Sequence, residues 1–249
     1  MLGPAALAVV AVAVVATSFV SGIFGMAGGM ILLGVLLIYM DVAPAMVLFG
    51  AIQTASNGWR ATLWWRHVDW GIVWRHLVGS TAVFLLMRTA AILPNKATLY
   101  LCLGLLPFAA DLLHRRVSLD ITRPGVPYAC GALIIVLQLL AGAAGHILDV
   151  FFQKSALDRK TIVGTKAVTQ VAGHLYRIAY FGSFTVAFDT SIPWWAYAAA
   201  VLLALAGTSL AAQVLLRMTD ESFRAWSRRV TLLVSVTFLT RGLWLLAQP

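Results

Sequence analysis

Polar side chains recur at helical spacing in two otherwise apolar stretches of the sequence. In the first stretch, Gln53, Asn57 and Arg60 lie at positions i, i+4 and i+7 and so share one face of a helix. An arginine at the centre of a membrane helix costs about 2.5–3.5 kcal/mol, so it usually faces the bundle interior or a water-filled cavity. Because the planar guanidinium matches oxyanions such as sulfonates and carboxylates, this face predicts an anion site.

The second stretch repeats this pattern later in the chain. Gln170, His174 and Arg177 have the same spacing, and Lys166 extends the face by one turn towards the amino terminus. Gln and Arg recur at matching positions, and His174 corresponds to Asn57. Together the two faces predict a substrate site lined by guanidinium groups, an ammonium, amides and an imidazole.

These side chains also have structural interpretations. Arg60 and Arg177 lie nearer the ends of their apolar stretches than the middles, so either could extend to the lipid headgroups. Gln53 and Gln170 could bond a neighbouring helix, and His174 could be a packed, hydrogen-bonded histidine. The sequence leaves these interpretations open beside the anion site.

One acidic residue lies near the second polar face. Asp149 falls in a short apolar segment and is a candidate carrier of a coupling proton. It could instead pair with Lys154, Lys166 or Arg177. His146, three residues before it, makes only a two-residue cluster, so the sequence predicts no metal site, and it predicts no cofactor.

Composition places these residues in a membrane protein. The 249 residues are 61% hydrophobic and 11% charged, with a mean hydropathy of +0.90, whereas a soluble domain carries about 25% charged residues. The net charge of +9 comes mainly from short loops and segment ends, as expected when basic loops face the cytoplasm. The predicted partners are therefore the lipid bilayer and a small anionic substrate, not nucleic acid.

The apolar segments fall into two similar halves. The first half holds a span at 4–22, a glycine-rich break, a short piece at 30–40 and spans at 42–65, 70–93 and 97–113. The second holds an apolar segment at 128–140, a break at 141–145, a short piece at 146–157 and spans at 161–183, 194–218 and 230–247. Non-helical backbone at membrane depth must be buried in protein or line a cavity, and paired breaks are typical of transporter binding sites.

The predicted fold class is therefore all-α, a polytopic transmembrane helical bundle of two pseudo-symmetric repeats. The repeats cover residues 1–113 and 128–249, each has a glycine-broken or re-entrant helix, and a cytoplasmic loop at 114–127 joins them. The loop at 182–193 holds no Lys or Arg, which predicts an extracytoplasmic position. This scheme places both termini outside and makes the repeats inverted, although it also places Arg88 and Lys96 outside.

Three segments resemble a known family. Residues 21–29 (Ser-Gly-Ile-Phe-Gly-Met-Ala-Gly-Gly) resemble the first signature of the TauE/SafE family of sulfite-exporter-like membrane proteins. Residues 141–145 (Ala-Gly-Ala-Ala-Gly) resemble its second copy, and residues 163–167 (Val-Gly-Thr-Lys-Ala) resemble the stretch that follows. The resemblance implies export of small sulfur-containing or carboxylate anions across the bacterial cytoplasmic membrane. On matching positions it implies a substrate site around Gly28, Gly29, Gln53, Asn57, Thr165, Gln170 and His174.

The leading hypothesis is a secondary transporter that exports a small anion by alternating access between the repeats. We find no metalloprotease, hydrolase, Walker or dinucleotide motif, so we predict that the protein is not an enzyme. The alternatives are a non-transporting membrane assembly partner, or a membrane-embedded metal-handling protein that uses His146, Asp149 and His174. The sequence leaves the substrate, the coupling ion and a homo-oligomer open.

Overall fold

The chain folds into a bundle of helices. The computed structural model describes residues 4–24, 26–117, 119–183, 194–215 and 220–248. In the first half the helices are α1 (Pro4–Phe24), α2 (Met26–Tyr39), α3 (Val42–Leu63), α4 (Trp70–Ala90) and α5 (Lys96–Arg116), with a 3-10 turn at Trp65–His67. In the second half they are α6 (Val126–Leu140), α7 (Gly145–Phe152), α8 (Arg159–Gly182), α9 (Trp194–Leu215) and α10 (Asp220–Leu246). The predicted all-helical fold class is confirmed.

Several of these helices suit a lipid bilayer. Trp70–Ala90, Lys96–Arg116 and Arg228–Leu246 are long and apolar enough to cross a membrane. Large aliphatic side chains on them are exposed, Leu86 at 67% and Leu233 at 71%, as expected where the surroundings are hydrocarbon. The two helices that carry the polar faces, α3 and α8, are absent from the apolar spans found among the described residues. Their polarity is compensated by packing in the centre of the bundle.

The breaks in the helices lie where the glycines predict them. In the first half, α1 ends at Phe24 and the 14-residue α2 begins at Met26. In the second half, α6 ends at Leu140 and the 8-residue α7 begins at Gly145. Gly142 between them has φ +78°, a left-handed conformation that side chains with a Cβ rarely adopt.

The central loop is shorter than the polar residues at 114–127 suggest. The α5 helix continues to Arg116, and α6 begins at Val126. The last turn of α5 holds His114, Arg115 and Arg116. Cations are favoured at a helix carboxyl end because they complement the helix dipole. Polarity there reflects the end of a span and not the end of the helix.

Four helix pairs make the main packing contacts: α3 with α8, α1 with α9, α4 with α6, and α5 with α10. In the α4–α6 pair, a Cβ on Gly79 would overlap the backbone of Tyr128, and one on Gly131 would overlap the backbone of His76. Small residues let helix backbones approach closely in membranes. In order along the chain, α1 to α5 of the first half correspond to α6 to α10 of the second half. If each helix is replaced by its counterpart in the other half, the same four pairs result.

The α3–α8 pair lies in the middle of the bundle and is antiparallel. Gly50 approaches His174 and Ile178, whereas Trp64 near the other end of α3 approaches Gly164. This crossing brings the two polar faces that the sequence predicts onto one helix pair.

Candidate functional site

The start of α8 fixes the position of its polar face. Asp158 caps the helix, its carboxylate accepting the backbone N–H groups of Lys160 and Thr161 at 2.9 and 3.1 Å. The hydroxyl of Thr161 also donates to it at 2.6 Å, and these bonds hold the pKa of Asp158 below its usual value. Lys166 then lies about two turns inside the helix.

Thr165 is held by the loop before α4. Its hydroxyl accepts the backbone N–H of Asp69 at 2.9 Å, and the side chain is fully buried. The carboxylate of Asp69 in turn accepts the N–H of Ile72 and caps α4. Thr165 therefore ties α8 to the α3–α4 connection and is not brought to the centre of the helix pair.

Two glycines just after the first break let α2 pack closely on both α1 and α3. A Cβ on Gly28 would overlap the α1 backbone at Thr17 and Ser21, whereas a Cβ on Gly29 would lie 2.8 Å from Nε2 of Gln53. Gly28 thus sets the α1–α2 crossing, and Gly29 places the first turn of α2 against Gln53 on the polar face of α3. Of the two glycines, only Gly29 lies beside a predicted polar site residue.

Gly28→Ala is expected to destabilise the protein by about 1–3 kcal/mol, because its methyl group meets backbone that cannot rotate away. The measurement is the melting temperature of the purified protein in detergent. Gly58→Ala is the matched control, since no atom lies within 4 Å of a Cβ at that helical glycine. Equal melting temperatures for the two variants would show that α1 and α2 do not cross this closely.

The first polar face makes a bond within its own helix. Asn57 is buried, its side-chain amide donates to the carbonyl of Gln53 at 2.9 Å, and its oxygen accepts from Arg60 at 3.4 Å. Gln53 and Arg60 are half-buried. The Arg60 guanidinium is therefore held loosely and keeps most of its donors for another group.

The second polar face makes the corresponding contact more tightly. Nη1 of Arg177 lies 3.0 Å from Nδ1 of His174. A guanidinium only donates, so Nδ1 accepts and the neutral imidazole carries its hydrogen on Nε2. Arg60 bonds Asn57 and Arg177 bonds His174 at the same three-residue spacing, as the matching positions of the two faces predict.

Arg177 holds the second break together. Its Nη2 donates to the backbone carbonyls of Gln138 at 2.8 Å and Gly142 at 2.7 Å, and its side chain is 0% exposed. Its guanidinium also lies over the ring of Phe49, 4.9 Å from the centroid. Carbonyls freed by a helix break at membrane depth need a donor, and Arg177 supplies it. This arginine does not extend to the lipid headgroups.

An ion pair lies on the other side of the second break. Lys166 on α8 pairs with Asp149 on α7, and their side chains remain 21% and 31% exposed. Of the partners that the sequence offered to Asp149, the structure selects Lys166. Arg60 lies within electrostatic range of Lys166, and so does His146. The ion pair thus links α7 to α8, and a second cation on the facing helix α3 lies within electrostatic range of it.

The remaining predicted side chain, Gln170, is half-buried on α8 between Lys166 and His174. Among the described residues, no three His, Cys, Asp or Glu side chains cluster as metal ligands. His146, Asp149 and His174 are therefore not assembled into one metal site.

Two apolar cavities lie away from the polar faces. One of about 380 Å³ lies between α2, α5 and α10, and it is lined by Gly34, Tyr100 and Phe238 among others. The other lies between α1, α3 and α9 and is lined by aliphatic residues and Trp195. Neither is lined by a residue of the two polar faces.

Sequence reasoning missed Gln138. It is 3% exposed, its side chain lies against Gly173, and its backbone carbonyl accepts from Arg177. The signal was a single glutamine in an otherwise apolar stretch, just before the glycine break. Phe49 was also missed, since an aromatic residue on an apolar face gives no sign that it covers a guanidinium.

The comparison with protein families agrees with this arrangement. The family model described as Sulfite exporter TauE/SafE matches residues 9–238, which include both helix breaks and both polar faces. No curated protein and no solved structure matches the chain. The glycine-broken helices, the paired polar faces and the family match over nearly the whole chain agree, and the protein belongs to the TauE/SafE family of sulfite-exporter-type membrane transporters.

Proposed function

We propose that the protein is a secondary transporter that exports a small anion, such as sulfite, an organosulfonate or a small carboxylate, across the bacterial cytoplasmic membrane. The observation that carries the proposal is the cationic cluster of Lys166 on α8 and Arg60 on the facing helix α3, which lie within electrostatic range of each other. Both side chains are half-buried, so they are shielded from bulk water yet within reach of a small solute. Cations in such surroundings attract anions more strongly than they do in water.

The substrate would bind between α3 and α8 beside the two breaks. Lys166 and Arg60 would neutralise its charge, and Gln53, Asn57 and Gln170 would supply amide donors. Gly29 would let the Gln53 amide lie against α2, since a Cβ there would be 2.8 Å from Nε2 of Gln53. Arg177 and His174 would contribute indirectly, by holding the second break in its present shape.

Alternating access would come from movement of one repeat against the other. The self-exchanging set of helix pairs supports two repeats. The antiparallel crossing of α3 and α8 supports repeats of opposite orientation, because equivalent helices then run in opposite directions. The ion pair between Asp149 and Lys166 links the short α7 to α8, so it lies where such a movement would be felt.

A transport assay in proteoliposomes tests the proposal. The parent protein is expected to move at least one of sulfite, ethanesulfonate and malonate down its gradient. Arg60→Ala should lower the initial rate by roughly 10-fold or more, because a hydrogen bond to a charged group contributes about 1.5–3 kcal/mol. Arg66→Ala, an exposed arginine in the neighbouring 3-10 turn, is the matched control and should transport like the parent.

Two results would contradict this proposal in different ways. A parent protein that moves none of the three anions would instead indicate a non-transporting membrane partner. Transport by Arg60→Ala at the parent rate would remove Arg60 from the site and leave the carrier function standing.

A further inference from the structure

We propose that Asp149 is an internal competitor for the substrate anion, and that each anion bound to Lys166 is accompanied by one proton bound to Asp149. This inference rests on the proposed anion carrier and specifies how its site is regulated and coupled. The observation is that the cationic cluster already holds an anion of its own, the carboxylate of Asp149.

The position of Asp149 suits this role. It lies on α7, directly after the second break, and the helix buries its other face through Ile147, Leu148, Val150 and Phe151. The carboxylate is 31% exposed, so an entering solute can reach the ion pair from the open side.

The charged and titratable groups around Asp149 come from α7 itself and from four other helices. Lys166 on α8 is its partner, Arg60 on α3 is the second cation, and His146 lies three residues earlier on α7. The helices packed on α7 add the thiols of Cys102 and Cys130 and the end of α5, which holds Asp111, His114, Arg115 and Arg116. Asp111 is occupied by Arg115 at 3.0 Å, so Asp149 is the carboxylate that neutralises the cluster.

Substrate binding changes the charge balance at Asp149. An oxyanion that takes the Lys166 ammonium removes the counter-charge of Asp149 and places a second negative charge beside it. Both changes favour the neutral carboxyl. The proton that Asp149 takes up comes from water. His146 lies on the same helix face as Asp149, one turn away, and its buried Nε2 has no partner among the described residues.

The consequence is that anion and proton move together in the same direction. A monovalent anion then crosses with no net charge, so the membrane potential neither drives nor opposes its movement. The direction follows the combined gradients of anion and proton, so the anion is exported when its outward gradient exceeds the inward proton gradient of the cell. By linkage, the anion also binds more tightly as the pH falls, by up to about tenfold per pH unit while Asp149 is ionised in the free protein.

The experiment uses the full-length protein in liposomes that contain a pH-sensitive dye, with an imposed ethanesulfonate gradient. Ethanesulfonate remains ionised throughout the range from about pH 5 to pH 8, which spans the region where carboxyl and imidazole groups titrate in proteins. The parent is expected to acidify the liposome interior as the anion enters, in proportion to the anion moved. Asp149→Asn is expected to move the anion without acidification and at a rate independent of pH.

Two further variants separate coupling from folding. Asp149→Glu retains a carboxylate and should retain proton movement, whereas Asp111→Asn removes an exposed carboxylate and should leave coupling unchanged. Should Asp149→Asn fold poorly because Lys166 is left unpaired, the double variant Asp149→Asn with Lys166→Gln removes both charges. In it we expect weak anion movement without acidification.

The outcomes distinguish this inference from the function on which it rests. A parent that moves no ethanesulfonate, sulfite or malonate removes the carrier function and the inference with it. A parent that moves ethanesulfonate without acidification, or an Asp149→Asn variant that still acidifies the liposomes like the parent, overturns the inference alone.

Discussion

Replacing Arg177 with alanine is expected to destabilise the folded protein by about 3 kcal/mol or more, the range for breaking a buried, hydrogen-bonded charged group. The change leaves the carbonyls of Gln138 and Gly142 without their donor, and lipid offers no water to replace it. It also leaves a void beside the ring of Phe49. The measurement is the melting temperature and the yield of folded protein in detergent.

Arg60→Ala is the control for this prediction, because Arg60 occupies the matching position in the first polar face. Its side-chain hydrogen bond to Asn57 is long, at 3.4 Å, and its side chain is half-buried. Arg60→Ala should therefore melt close to the parent. Equal melting temperatures for Arg177→Ala and Arg60→Ala would show that the second break does not depend on Arg177.

The matching positions of Arg60 and Arg177 were visible in the sequence, but their different roles were not. Spacing alone shows that each arginine lies on the same helix face as an amide or imidazole three residues earlier. Whether the guanidinium stays available depends on what the facing helix presents. For Arg177 that is the end of α6 and the turn at Gly142, brought together by contacts distant in the chain.

The fold was predictable to a similar extent. Apolar length predicts the spans, and glycine clusters predict both helix breaks, since each effect acts locally along the chain. The sequence predicts the apolar span at 97–113 and not the last turn of α5, because basic residues in a last helical turn look like a loop in the sequence. The packing of α3 on α8 depends on Gly50 lying against α8 and on Gly164 lying against the residues at the end of α3, which spacing within one helix does not reveal.

The pairing partner of Asp149 could not be predicted from the sequence alone. The sequence offered it several cationic partners, and only the return of the chain after α7 decides between them. The structure selects Lys166, one turn from Gln170, and thereby places the acid next to the cations that an anion would need. Asp149 is thus the residue that gives this site its own counter-charge.

Lys166→Gln is expected to lower anion transport by roughly 10- to 100-fold, because it removes the central charged donor, which contributes about 1.5–3 kcal/mol. Glutamine keeps the length and a donor but not the charge, so a loss assigns the effect to charge. The measurement is the initial rate of ethanesulfonate, sulfite or malonate uptake into proteoliposomes at fixed pH.

Lys160→Gln is the matched control for Lys166→Gln. Lys160 lies on the same helix, but its ammonium is 5.8 Å from the ring centroid of Trp64, on the exposed first turn of α8. A general effect of lowering the positive charge of α8 would slow both variants equally, whereas a site at the ion pair slows only Lys166→Gln. In Lys166→Gln the ion pair with Asp149 is absent. An entering anion therefore no longer has to displace the Asp149 carboxylate from Lys166. Equal rates for the two lysine variants would therefore contradict both the site and its internal competitor.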